Sequence, residues 1–284
     1  MALADSVPGV SGGTIAFILG FYDDFINSLN SLMSKSPFSD KKIALKFLGR
    51  LGIGWITGMI LSVLFLTSFF ETSIYSISSL FTGFVLLSIP LIINEEREAI
   101  IGKYKNLIFT LIGILVVVLL TYFNPSSSGS GISLAFGNLN PLLVLYVFVA
   151  AMIAISAMVL PGISGSTILL IFGLYTGIIS SIRQVLSLNF EYLPILIFFS
   201  FGILAGIAST IKLIRYVLKT HRPQAIYTII GLMLGSLYAI FMGPTTLEVP
   251  HPAMTFETFN FVFFFIGAAL IFALEKIKVF FQNK

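Results

Sequence analysis

The sequence predicts an all-α, polytopic membrane protein, and three observations carry that prediction: composition, the length of the apolar runs, and an internal repeat. Of the 284 residues, 57 % are hydrophobic and only 10 % charged, with 29 Phe, and the mean hydropathy of +1.03 exceeds what a globular core requires. Apolar runs of about 20 residues recur along the chain, the length that crosses ~30 Å of hydrocarbon at about 1.5 Å per residue. They are continuously apolar rather than alternating, so helices and not a β-barrel are the spanning solution. Finally, ADSVPGVSGGTIAFILGFYDDFINSL at 4–29 returns as AMVLPGISGSTILLIFGLYTGIISSI at 157–182, with 12 of 26 positions identical. A Pro-Gly followed by a Ser-Gly pair, kept twice inside apolar sequence, marks the irregular backbone of a repeat architecture.

Taken in order, the first motif is followed by spans near 48–70, 75–94 and 106–123, and a run at 141–160 leads into the second motif, with further spans near 193–214, 225–243 and 258–275. Loop charge orients them, because Lys and Arg collect on the cytoplasmic side. Lys35, Lys41, Lys42 and Lys46 place the first loop inside, with Arg50 just within the next helix. Glu71 marks an outer connection, Arg97, Lys103 and Lys105 an inner one, and the uncharged 124–140 an outer one. Lys212, Arg215, Lys219 and Arg222 are then inside, Glu248 and Glu257 outside, and Lys276, Lys278 and Lys284 put the C-terminus in the cytoplasm. No secretory signal peptide is legible in residues 1–20.

Counting crossings makes the two motifs antiparallel. The first leaves toward Lys35 and the second must leave outward at Glu191. Gly54 and Gly58 match Gly202 and Gly206, and Gly83 and Ser88 match Gly231 and Ser236, all at an offset of 148. The chain therefore reads as one membrane domain, 1–284, of two inverted repeats, 1–125 and 141–284, each a re-entrant hairpin plus three transmembrane helices. With Ser11 at mid-bilayer, Asp23 lies about 18 Å along a continuous helix, past the half-thickness and solvated. Only Met1 to Leu3 precede the first motif, which points to a chain start lying upstream and an entry arm missing from the first hairpin.

PGVSGGT (8–14) and PGISGST (161–167) carry the chemistry. Pro8 and Pro161 end the entering arm, Gly9 and Gly162 permit a sharp turn, and Ser11 and Ser164 suit the N-cap of the following helix. That leaves free N–H groups at Gly12, Gly13 and Thr14 in one copy and at Gly165, Ser166 and Thr167 in the other. Each helix start carries about half a positive charge, and such ends seat anions. In hydrocarbon these donors need water, protein or a polar ligand. Gly54, Gly58, Gly202 and Gly206 read instead as close-packing contacts of the GxxxG type.

Charges inside the spans are few. Asp5, replaced by Met158 in the second copy, is the proton-coupling candidate; Arg50 and Arg183 could reach a phosphate from opposite ends of the protein. Tyr22 and Tyr175 are expected in the interfacial aromatic belt. With no Cys, and with His221 and His251 in opposite loops, no catalytic residue, metal site or cofactor is expected. An intramembrane lipid phosphatase lacks its nucleophile and base. The net charge of +4 reports orientation rather than nucleic-acid binding. A small-anion channel or carrier would use the same helix ends but needs a continuous aqueous pore.

The two motifs and their spacing resemble the bacterial polyprenyl-phosphate transporters of the PopT type, over essentially the whole chain. That resemblance implies a protein of the bacterial cytoplasmic membrane that moves undecaprenyl phosphate, the lipid carrier of cell-envelope synthesis, from the outer to the inner leaflet. It implies a polyprenyl-phosphate lipid as partner, with protons as candidate coupling ions, and it leaves the oligomeric state open.

Overall fold

A computed structural model describes residues 1–5, 11–123, 140–246 and 250–282. Among these the secondary structure is helical, with no strand: α1 (Ala2–Asp5), α2 (Gly12–Ile18), α3 (Tyr22–Met33), α4 (Phe38–Glu95), α5 (Arg97–Ile100), α6 (Leu107–Tyr122), α7 (Pro141–Val159), α8 (Gly165–Ile171), α9 (Tyr175–Leu186), α10 (Leu193–Thr220), α11 (Arg222–Met242) and α12 (Phe261–Gln282). Five segments are long and apolar enough to cross a membrane: Ser73–Glu95, Tyr104–Tyr122, Pro141–Val159, Phe190–Thr220 and Arg222–Thr245.

The local signals explain where these helices start. Asn140 caps α7 by accepting Leu143 N–H at 2.8 Å, and Pro141 occupies the first turn, where no N–H is needed. Prolines hold the same place in α10 and α11. The loop expected around Glu71 is absent. Instead α4 runs for 58 residues and breaks at Ser73 alone, with φ −141° and ψ 29°. A straight helix of that length would extend about 87 Å, so the break turns one helix into two arms. The side chain of Glu71 lies outside the described residues.

Packing places α11 at the centre. Its span is 67 % buried, against 22 % for Phe190–Thr220 and for Tyr104–Tyr122, and Ile226, Met233 and Ile240 are fully enclosed. The outer helices turn Leu111, Leu115, Phe201, Leu204 and Phe265 outward, as lipid-facing surfaces do. Small residues let helices approach. A Cβ on Gly202 or Gly206 would collide with the carbonyl of Phe148 or Met152 of α7, and one on Gly231 with that of Thr110 of α6. Their counterparts differ. Gly58 meets Ala2 of α1, whereas Gly54 has nothing within 4 Å. The expected contact therefore forms in the second half and at Gly58, and not at Gly54.

Local structure repeats along with the sequence. α2 and α8 have seven residues each, and α3 and α9 have twelve each. Ser88 donates to Val85 O at 2.6 Å and Ser236 to Met233 O at 2.8 Å, the same bond 148 residues apart. The helix expected to run unbroken from Ser11 to Asp23 is interrupted in both copies. Gly20 and Gly173 adopt φ of 74° and 65°, Phe21 N–H bonds Ala16 O, and Leu174 N–H bonds Leu169 O, the left-handed glycine stop of a Schellman motif. Depth counted along a straight helix thus does not locate Asp23.

Candidate functional site

The two motifs meet. Pro161 prevents α7 from continuing, which leaves its last carbonyls without helical partners. Hydroxyls of the first motif supply them. Ser11 Oγ points its one hydrogen toward Met158 O (3.4 Å) and Leu160 O (3.5 Å), and Tyr22 OH donates to Val159 O at 3.1 Å. In the turn beyond, Gly162 N–H donates to Thr14 Oγ1 at 2.8 Å. Gly162 has φ 90°, and a Cβ there would stand 2.6 Å from the backbone of Leu232. Ser11, Thr14 and Ser164 are all buried, so a polar junction between segments about 150 residues apart lies inside an apolar protein.

Tyr22 is 2 % exposed. It belongs to this junction and not to an interfacial belt, because the freed Val159 carbonyl needs a donor at that depth.

The expected free donors of the first copy are occupied. Gly12 N–H is held by Asp5 Oδ1 at 2.6 Å, Gly13 N–H by Ser11 Oγ at 3.1 Å, and Thr14 N–H by Ser11 O at 3.0 Å. Asp5 also accepts from Trp55 Nε1 at 2.9 Å. A carboxylate at a helix start is the favourable electrostatic arrangement, and in this copy the chain supplies it. Sequence reading missed Trp55, and its one available signal was being the chain's single Trp.

The second copy is built alike but charged differently. A Cβ on Gly12 would meet the Asp5 carboxylate, and one on Gly165 would meet Met158 Cβ at 3.3 Å. Position 158 thus stands where Asp5 does, with a thioether in place of the acid. Ser164 makes no side-chain cap; its hydroxyl pairs with that of Ser166 at 2.7 Å. Pro161 lies in the turn. Pro8 and Gly9 lie outside the described residues, as does the side chain of Arg183. Arg50 is exposed and lines neither of the two cavities beside the junction.

Two cavities flank the junction. One of about 370 Å³ lies between α7 and the first arm of α4, bordered by Asp5, Gly13 and Trp55. The other, about 70 Å³, runs from Phe17 and Tyr22 to a cluster of Asp23, Glu96 and Arg222. There Arg222 bridges Asp23 Oδ2 at 3.0 Å and both carboxylate oxygens of Glu96 at 2.5 and 2.9 Å, tying α3, the end of α4 and the start of α11 together.

A family model described as VCA0040-like, undecaprenyl phosphate translocase-like, matches residues 1–258. The chain belongs to that family. A protein from Staphylococcus aureus (strain NCTC 8325 / PS 47), named polyprenyl-phosphate transporter, is 35 % identical over 282 residues, 98 % of this chain and 93 % of the relative. A protein of the same name from Vibrio cholerae serotype O1 (strain ATCC 39315 / El Tor Inaba N16961) is 31 % identical over 192 residues, covering 64 % of this chain and 58 % of the relative. No solved structure matches. Membership makes this translocase-like chain a multi-pass membrane transporter and not an enzyme.

Proposed function

We propose that the chain carries a polyprenyl phosphate from the outer to the inner leaflet by alternating access of two inverted halves. The phosphate head binds at the paired helix starts, contacting Ser11, Gly12, Gly13 and Thr14 and their counterparts Ser164, Gly165, Ser166 and Thr167. One observation carries this reading: Thr14 and Ser11 of the first motif bond the turn of the second, so two anion-seeking backbone ends share one buried junction. The names of the relatives, polyprenyl-phosphate transporters, support the substrate. The ion cluster of Asp23, Glu96 and Arg222 joins segments that loop charge assigns to the same side, which supports the inverted topology.

Asp5 gives the cycle its proton step. Its carboxylate holds donors that a phosphate would use, so entry of the head group favours release of Asp5 and its protonation. The second start has Met158 there and accepts an anion without displacing one. Uptake of labelled undecaprenyl phosphate into proteoliposomes, with and without a proton gradient, tests the proposal. Wild-type protein should move the lipid, and Ser11→Ala combined with Ser164→Ala should abolish uptake in protein that still melts cooperatively. Intact uptake by that double variant would remove the head-group assignment, and chloride conduction without lipid movement would favour the small-anion reading.

A further inference from the structure

The larger cavity has a chemistry distinct from that of the phosphate seat. Leu51, Gly52 and Ile56 of α4 face Ile155 and Met158 of α7 across about 370 Å³, a volume typical of pockets that enclose small molecules. At one end its character changes. There lie the Asp5 carboxylate and the backbone of Gly13, and Trp55 joins the two regions, its indole N–H on Asp5 at 2.9 Å and its side chain bordering the cavity. Gly52 keeps the space open, since a Cβ there meets no atom within 4 Å.

An occupant that fits must pair an apolar body with one strongly polar end, and an anionic end enters as Asp5 is released and protonated in the proposed cycle. Water does not satisfy an apolar wall, and inorganic phosphate would leave that wall unused. We infer that this cavity receives the isoprene units nearest the phosphate of the lipid, with Trp55 as their wall. The inference rests on the polyprenyl-phosphate reading above, and it adds a tail subsite formed by α4 and α7. Gly13 and Asp5 border the cavity and also belong to the head-group junction, so head and tail sites are continuous. Gly52 then acts in selecting the chain and not the phosphate, while Trp55 borders both the tail cavity and the head-group donors.

Because the chain has one Trp, its emission reports on this cavity. Full-length protein in detergent would be titrated with farnesyl phosphate and, separately, with inorganic phosphate. Farnesyl phosphate should change Trp55 emission saturably, at concentrations where inorganic phosphate does not. Gly52→Leu, which fills the cavity, should weaken farnesyl phosphate at least about tenfold, while Gly49→Leu on an exposed position of the same arm should match wild type. Should Gly52→Leu fail to fold, Leu51→Phe narrows the same wall and carries the same expectation. Equal affinity in the filled variant, or identical responses to the two ligands, overturns the inference. Lipid uptake separates the two levels: a wild type that moves no lipid removes the transport reading, whereas a Gly52→Leu variant that moves it like wild type removes only the tail site.

Discussion

The contact most open to a decisive test is the one between Thr14 and Gly162. Thr14 is 1 % exposed, and its hydroxyl is the acceptor for a buried N–H at 2.8 Å. Thr14→Val nearly preserves the shape of the side chain and replaces that oxygen with a methyl group. Gly162 N–H is then stranded, at a cost of about 1–3 kcal/mol. Thr14→Ser keeps the oxygen and deletes a methyl, a loss of about 0.8 kcal/mol of burial. The nearly isosteric substitution should therefore be the more damaging one, shifting the junction toward its opened form by about 5- to 150-fold. Hydrogen exchange of the peptide spanning 160–164, in detergent or nanodiscs, reads that opening, and thermal unfolding of the same samples reads stability. Faster exchange in the order Val, Ser, wild type is expected. If Thr14→Val protected the turn as well as wild type while Thr14→Ser did not, packing rather than the hydroxyl would hold the two motifs together.

Three further outcomes follow from named contacts. Asp5→Asn retains an oxygen for Gly12 N–H but cannot exchange a proton, so uptake should lose its dependence on the proton gradient; a gradient response equal to wild type would exclude Asp5 as the carrier. Gly162→Ala combines a left-handed backbone, about 1–2 kcal/mol, with a clash against Leu232 worth about 1–3 kcal/mol, and should lower the melting temperature clearly; unchanged melting would contradict the turn geometry. In the ion cluster, Glu96 has 15 % of its side chain exposed against 43 % for Asp23. Glu96→Gln should therefore cost more than Asp23→Asn, about 1 kcal/mol or less for the latter, and only the smaller effect should vanish in molar salt.

Much of this arrangement is legible in the sequence. Apolar runs locate the spans, and the repeated Pro-Gly locates the end of α7. The stop at Gly20 and Gly173 is readable as a glycine closing a short helix in both copies, but not from hydropathy, which reports burial and carries no φ. The break at Ser73 falls between the spans expected at 48–70 and 75–94, and only its form differs, a single non-helical residue in place of a loop. What periodicity cannot supply is the partner of an orphaned carbonyl. Tyr22 looks like an interfacial residue until the carbonyl it serves, 137 positions away, is known. Asp5 as the cap of Gly12 required the geometry of the turn, and Trp55, 50 positions from Asp5, offers no local pattern at all.

Position 5 and its counterpart 158 are where the two halves of the junction differ most in charge. Two identical helix starts related by a two-fold would hold an anion equally well from either side, and a ligand with equal affinity for two states shifts neither. A carrier built that way could equilibrate a lipid between leaflets but could not draw on another gradient. Coupling needs a group whose protonation changes with occupancy, placed where the substrate binds. Asp5 bonds the donors of one start, while Met158 leaves the other without a titratable group. On the proposed phosphate seat, the substitution of acid by thioether between otherwise matched motifs is therefore where a symmetric anion seat would acquire a proton dependence.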